Sequence, residues 1–330
     1  MNQTKKSSRL QWWKFAKVGL ALALIGVILS TTDINHLLSL HEKIIWNWLY
    51  IYALLYAALT ALKSYQYKQL LNLPVPYPRM VSIVVLQNGI SNIFANSAGI
   101  ASYLVMMSGE EEVSPGRAAL VFIIAKVGDL FAIWLMLMFS GIALWNQIPV
   151  LHNTVLALLI SIGTPLFGFL LLIALRQRVT NFLRVALQKT RLLRFRIVER
   201  LVGMLETLVN DKHGSLFDMT RKALILSSLY FFVTNLWYVA QMRMFSIELS
   251  FTEITMVTAI MQLIAFIPIT ILGGLGVVEL SSLYLYNLVG VDSLTLAAAL
   301  IGLRALFYVI NLLMLLYLPI YSFIENRSQP

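Results

Sequence analysis

Four ionisable residues stand inside long apolar runs of this 330-residue chain: Lys126, Asp129, Glu279 and Arg304. A charge at the centre of a membrane helix costs about 2.5–3.5 kcal/mol on insertion scales, so such residues pair, face a polar cavity, or do both. Lys126 and Asp129 are three residues apart and share a helix face. They read either as a self-neutralising bridge or as part of a polar site. Glu279 and Arg304 lie in different apolar segments, and a contact between them would tie those segments together. The two cations also suit a phosphate group. A guanidinium donates two parallel hydrogen bonds to it, and an ammonium supplies a point charge. For Arg304 a purely structural role is the competing reading.

Other chemistries find little support. The chain has no cysteine, which excludes disulfides, thiolate metal sites and thiol nucleophiles. His36, His41, His152 and His213 fall at scattered places in predicted loops, so no metal site is expected. No Gly-x-x-x-x-Gly-Lys-Ser/Thr loop is present, and neither ATP nor any cofactor is expected.

The elements that must position these charges are membrane helices. The chain is 59% hydrophobic and 12% charged, with a mean hydropathy of +0.79. A soluble domain carries about 25% charge. The net charge of +10 is assigned to the positive-inside bias and to anionic membrane lipids, with no nucleic-acid partner. Apolar runs of spanning length are expected at about 15–30, 44–62, 118–144, 154–175, 223–245 and 294–323. The 15–30 run follows a basic N-terminus and lacks a small-x-small cleavage pattern, so it is read as an uncleaved span.

Lys/Arg placement orients the spans. Lys5, Lys6, Arg9, Lys14 and Lys17 put the N-terminus in the cytoplasm. Lys63, Lys68 and Arg79 return the chain there, as does the basic stretch 176–222. The loop "WNQIPVLHN" has no Lys or Arg and is external. The stretch 80–107 must then start and end on one side, as a re-entrant hairpin broken near 92–99. By the same count 254–288 is a second hairpin, entered from the other side and broken at 273–276. Its sequence "FIPITILGGLGVVE" explains the break. Pro268 disfavours helix at the residue before it, and Gly273, Gly274 and Gly276 each weaken a helix by about 0.5–1 kcal/mol. Irregular backbone at membrane depth is tolerated where protein or water satisfies it, and the following helix N-terminus suits an anion. A glycine-rich packing face is the alternative.

Two halves of like order and opposite orientation result, about 44–144 and 223–323, within a single transmembrane domain spanning 1–330. Ala119 and Lys126 match Ala297 and Arg304 at one constant shift, which also lays Asn96 to Gly99 over Gly274 to Val277. Paired broken helices in the two halves point to a transporter binding site. The fold class is therefore an all-α polytopic membrane protein, with about six full transmembrane helices and two broken hairpins in an inverted repeat. The basic segment 176–222 carries an apolar stripe (Leu187, Leu193, Ile197, Leu201, Leu205, Leu208) and reads as a cytoplasmic interfacial helix, with a solvated basic loop as the alternative.

At these residues the chain resembles the lysylphosphatidylglycerol synthase transmembrane, or flippase-like, family. "IPITILGGLGVVE" and "GVDSLTLAAALIGLRALFYVINLL" carry the resemblance through Pro268, Gly273, Gly274, Gly276, Glu279, Gly290, Ala297 and Arg304. "AKVGD" resembles an Arg-x-x-Asp pattern, with Lys126 in place of Arg. The resemblance implies a lipid-translocating membrane domain without the aminoacyltransferase domain that some members carry. The expected protein is a non-enzyme of the cell inner membrane, with both termini cytoplasmic and a possible homo-oligomeric state. It would move a phospholipid or lipid-linked head group. Its candidate site residues are Asn96, Lys126, Asp129, Gly273, Gly274, Gly276, Glu279 and Arg304. A membrane-embedded lipid-modifying enzyme and a non-transporting partner in lipid or glycan synthesis are the alternatives.

Overall fold

A computed structural model describes residues 44–110, 113–189, 216–266 and 277–328, all helices and connecting turns with no β-strand. In chain order the helices are α1 (Trp46–Leu71), α2 (Tyr77–Ile93), α3 (Asn96–Met107), α4 (Pro115–Ala143), α5 (His152–Lys189), α6 (Leu216–Met244), α7 (Phe251–Phe266), α8 (Val277–Leu288), α9 (Ser293–Leu315) and α10 (Tyr317–Ser328). Among the described residues four stretches are long and apolar enough to cross a membrane: Pro115–Ala143, Pro149–Leu171, Leu216–Met244 and Ala299–Glu325. The expected span at 15–30 lies outside the described residues. The expected span at 44–62 is part of α1, whose 26 residues rise about 39 Å but include too many polar groups to join the four.

Local sequence sets the helix ends. Asn72 takes a left-handed conformation (φ 51°) and its N–H closes on the Lys68 carbonyl, terminating α1. Pro76 and Pro78 then start α2. The Ser114 hydroxyl accepts from the Arg117 N–H and Pro115 occupies the first turn, so α4 begins there. Ser250 and Glu253 cap α7 reciprocally, side chain to backbone in both directions.

Between α2 and α3 the helix stops at Phe94 and Ala95, inside the expected 92–99 window, with Ala95 fully extended (φ −162°, ψ 148°). The two helices fold back on each other. A Cβ added at Gly99 would run into Ser91 Oγ and come within 2.7 Å of the Gln87 carbonyl oxygen, so only glycine permits this approach. At the open end Arg79 Nε donates to Glu110 at 2.8 Å, so the chain enters and leaves this hairpin at one end. At 12 residues each, α3 and α8 rise about 18 Å, well short of the ~30 Å hydrocarbon core. α7 and α8 also pack as a pair, with Ser282 Oγ 3.7 Å from Met261 Sδ. The break at 273–276, with Pro268, Gly273, Gly274 and Gly276, lies outside the described residues.

Two expectations change. α1 does not end at residue 62. No helix breaker occurs before Pro74, and the helix carries Lys63 inward as a buried residue. The stretch 176–189 is not part of a separate interfacial helix, because α5 continues through it to Lys189, 38 residues and about 57 Å long. The rest of that segment, 190–215, lies outside the described residues. The expected span at 294–323 stands as the stretch Ala299–Glu325, with one turn residue at Leu316, because Pro319 lacks an N–H for the Leu315 carbonyl and its ring crowds it.

The described halves share an order: long helix, hairpin, long helix. α1 and α6, the first helices of the two, run antiparallel, with the Ile45 N–H donating to the Met244 carbonyl at 3.1 Å. They pack through an aromatic stack of Tyr52 on Trp237, centroids 5.0 Å apart.

Candidate functional site

Asp129 is residue 15 of 29 in α4 and only 2% exposed. A carboxylate there must be matched in charge and hydrogen bonds. Three helices supply the match. Lys63 on α1 places Nζ 2.8 Å from both carboxylate oxygens. Ser227 on α6 donates to Oδ1 at 2.8 Å, and Gln66 on α1 donates to Ser227 Oγ at 2.7 Å. Lys126, one turn before Asp129 on α4, reaches Oδ2 at 3.3 Å. The Lys126 side chain is 34% exposed where that of Asp129 is 3%. The Lys63 ammonium also lies 5.5 Å from the Tyr67 ring centroid and 5.0 Å from that of Tyr230. This close meeting of α4 and α6 requires Gly128, where a Cβ would lie 2.6 Å from the Ala223 carbonyl oxygen.

A second polar cluster joins the first hairpin to α1 and α9. The Tyr56 hydroxyl donates to Asn311 Oδ1 at 2.6 Å, and Asn92 Nδ2 donates to the same oxygen at 2.8 Å. Asn311 Nδ2 donates to the Phe307 carbonyl at 2.7 Å. Asn92 thereby fixes the last turn of α2, immediately before the hairpin tip. On α1, Tyr56 lies seven residues before Lys63, about 10 Å away on one helix face.

The third cluster joins the second hairpin to α9. Arg304 Nη1 is 3.3 Å from Glu279 Oε1, with the two side chains 16% and 26% exposed. Arg304 Nε donates to the Tyr308 hydroxyl at 3.0 Å, and the guanidinium lies over that ring at 4.9 Å. Arg304 precedes Asn311 by seven residues, so the second and third clusters are also about 10 Å apart along one helix face.

Asn96, the first residue of α3, donates from Nδ2 to the Ala265 carbonyl at 3.2 Å. Ala265 is next to last in α7. The tip of the first hairpin therefore touches the C-terminal end of α7.

Of the residues singled out in the sequence, Lys126 and Asp129 share one cluster, Glu279 and Arg304 share another, and Asn96 marks the tip junction. Gly273, Gly274 and Gly276 lie outside the described residues. Lys126 pairs with Asp129 and Arg304 with Glu279. Each faces its own carboxylate. Lys63, read as a cytoplasmic topology marker, is the principal partner of Asp129. The uninterrupted helical sequence up to Pro74 was the signal that placed it inside. Asn311, a lone amide in an apolar run, was another legible signal. Nothing in the sequence distinguishes Ser227 from other helix serines.

Neither a curated protein nor a solved structure matches the chain. Residues 14–314, by contrast, match the lysylphosphatidylglycerol synthase TM region. With its apolar helices of spanning length, the chain is a multi-pass membrane protein and belongs to the lysylphosphatidylglycerol synthase TM region family.

Proposed function

We propose that the protein moves a phospholipid or lipid-linked polar head group across the cell inner membrane. The observation that carries this reading is the contact of the first hairpin's tip with the end of α7, Asn96 on Ala265, in a bundle that holds clusters of polar residues within apolar helices. Short helices that turn back, rather than cross, leave backbone and polar side chains at membrane depth. Such groups are tolerated where they face protein or a water-filled cavity. The 18 Å rise of α3 and α8 supports re-entrant placement of the hairpins, as does the return of Glu110 to Arg79 in the first.

In this reading the head group enters between the hairpins while the acyl tails stay in lipid. Asn96 and the segment of Gly273, Gly274 and Gly276 offer it hydrogen bonds. Lys126 and Arg304 attract its phosphate, which competes with Asp129 and Glu279 for them. Anionic lipids at the cytoplasmic face engage the basic segment that follows α5.

The test uses the purified full chain in vesicles of mixed phospholipids carrying fluorescent lipid in both leaflets. A membrane-impermeant reductant bleaches the outer leaflet. With translocation, the protected inner pool also disappears. Cysteines at Asn96 and Ala265, joined by a short bifunctional thiol reagent, should restore protection by pinning this contact. An inner pool that stays protected for every head group tried, with folded protein in the vesicles, removes the proposal.

A further inference from the structure

We infer that the Lys63–Asp129 pair is a proton-exchange site, reached through buried water held between α1, α2, α3 and α4. The pair belongs to a closed circuit of side chains. Lys126 Nζ lies 5.7 Å from the Phe122 ring, the Phe122 and Tyr103 rings are 5.7 Å apart, and those of Tyr103 and Tyr67 are 4.7 Å apart. Lys63 lies over Tyr67, and its 2.8 Å contact with Asp129 and the 3.3 Å contact of Asp129 with Lys126 complete the circuit.

Four polar atoms on this circuit and beside it have no hydrogen-bond partner: Gln66 Oε1, Tyr67 Oη, Gln87 Oε1 and Tyr103 Oη. Their residues are between 0% and 9% exposed. The Tyr67 hydroxyl faces Gln87. Two are amide oxygens, which can only accept, and two are hydroxyls. Water satisfies both kinds, and a buried water makes about three such bonds. Gln66 and Tyr67 lie one turn beyond Lys63 on α1, so unsatisfied atoms there call for water on this side of the pair.

The rest of the site fits proton exchange better than a static bridge. Asp129 Oδ1 is held by Lys63 and Ser227, both at 2.8 Å. Oδ2 shares the Lys63 ammonium at 2.8 Å but has no hydroxyl donor, and its second contact is the 3.3 Å one to Lys126, the one partner with a substantially exposed side chain. A proton delivered by water binds Oδ2. An O–H bond forms from a carboxylate lone pair, a water molecule is released, and Lys126 loses its hold. The Tyr67 and Tyr230 ring centroids lie within 5.5 Å of the Lys63 ammonium and stabilise a cation there. Among the described residues, the charged and titratable groups at this carboxylate are Lys63 and Tyr67 from α1, Lys126 from α4 and Tyr230 from α6. Tyr103 from α3 stands next in line, and α5 and α7 contribute none. Neutral Asp129 holds α1 and α6 more weakly on α4. Proton binding would thereby drive lipid movement, a consequence that rests on the proposed translocation.

The site can be read without transport. Infrared difference spectra of the full chain in lipid nanodiscs, between acid and alkaline buffer, should show a protonated carboxyl band. The band should be missing in Asp129→Asn and in Lys63→Gln/Asp129→Asn, a double variant that strands no charge and so guards against misfolding. In Tyr67→Phe its hydrogen–deuterium exchange should slow severalfold. A spectrum without a titrating band over the folded range, or a band that survives in the double variant, overturns the inference. In the vesicle assay an imposed pH gradient should bias lipid movement in the wild type and not in the double variant. Translocation that ignores the gradient overturns the coupling and leaves the proposed function intact. A titrating band with no translocation of any lipid upholds the proton site and removes the proposed function instead.

Discussion

Asp129 joins three helices through one side chain, and the partners differ in what they contribute. Ser227 is a neutral donor, so Ser227→Ala should cost about 1 kcal/mol and leave the Gln66 amide without its acceptor. The check is thermal unfolding of the detergent-purified protein, with Ser228→Ala as the comparison, since Ser228 bonds only the Leu224 carbonyl one turn back. Glu279 and Arg304 are both partly exposed, so their pairing is weaker than that of Lys63 and Asp129. Arg304→Leu or Glu279→Leu should each lower folded yield by stranding the other charge, and the double substitution should restore it. Restored yield without lipid movement assigns Arg304 to the head group. Restored yield with movement makes the pair structural. Single variants that fold as well as the parent would break the link between them.

At the scale of elements, two glycines set the approach of neighbouring helices. Gly128→Leu would drive a side chain into the Ala223 carbonyl and Ser227 Oγ, both within 2.7 Å of the added Cβ. Wedging α4 from α6 should destabilise by about 1–3 kcal/mol, as overpacking does, and separate Ser227 from Asp129. Gly116, where an added Cβ meets nothing within 4 Å, serves as the control, because Gly116→Ala should be neutral or slightly stabilising. Gly99→Val should splay α2 from α3 and pull Asn96 off Ala265. The expected result is loss of thiol cross-linking between cysteines at Asn96 and Ala265 while α4 and α6 remain packed. Undiminished cross-linking would show that the tip contact does not depend on close packing within the hairpin.

For the whole molecule the decisive quantity is sidedness. The chain lacks cysteine, so single cysteines report without background. One at Gly109 lies beside the Arg79–Glu110 contact at the open end of the first hairpin. One at Gln147 follows α4, whose 29 residues rise about 43 Å. Labelling of Gly109→Cys should come only from the cytoplasm and that of Gln147→Cys only from outside. External labelling at Gly109 would mean that the lysine and arginine pattern had been read with the wrong sign for this hairpin, and the opposite orientation of the two halves would fall with it.

The sequence by itself determined the class. An apolar composition with few charges permits only membrane helices, because backbone groups in hydrocarbon must bond within their own segment. It also located the first hairpin break, where "SNIFANSAG" interrupts an apolar run, and it marked Glu279 and Arg304 by their cost in hydrocarbon. These are local or compositional signals, each readable within a few residues. The tertiary structure alone decided which charges meet. Lys63 and Asp129 are 66 positions apart and Asp129 and Ser227 are 98 apart. No periodicity links residues at such separations. Their meeting depends on α1 and α6 lying antiparallel against α4 and on the absence of a side chain at Gly128. A lysine near a helix end looks the same in sequence whether it faces water or a buried carboxylate, and only packing separates the two.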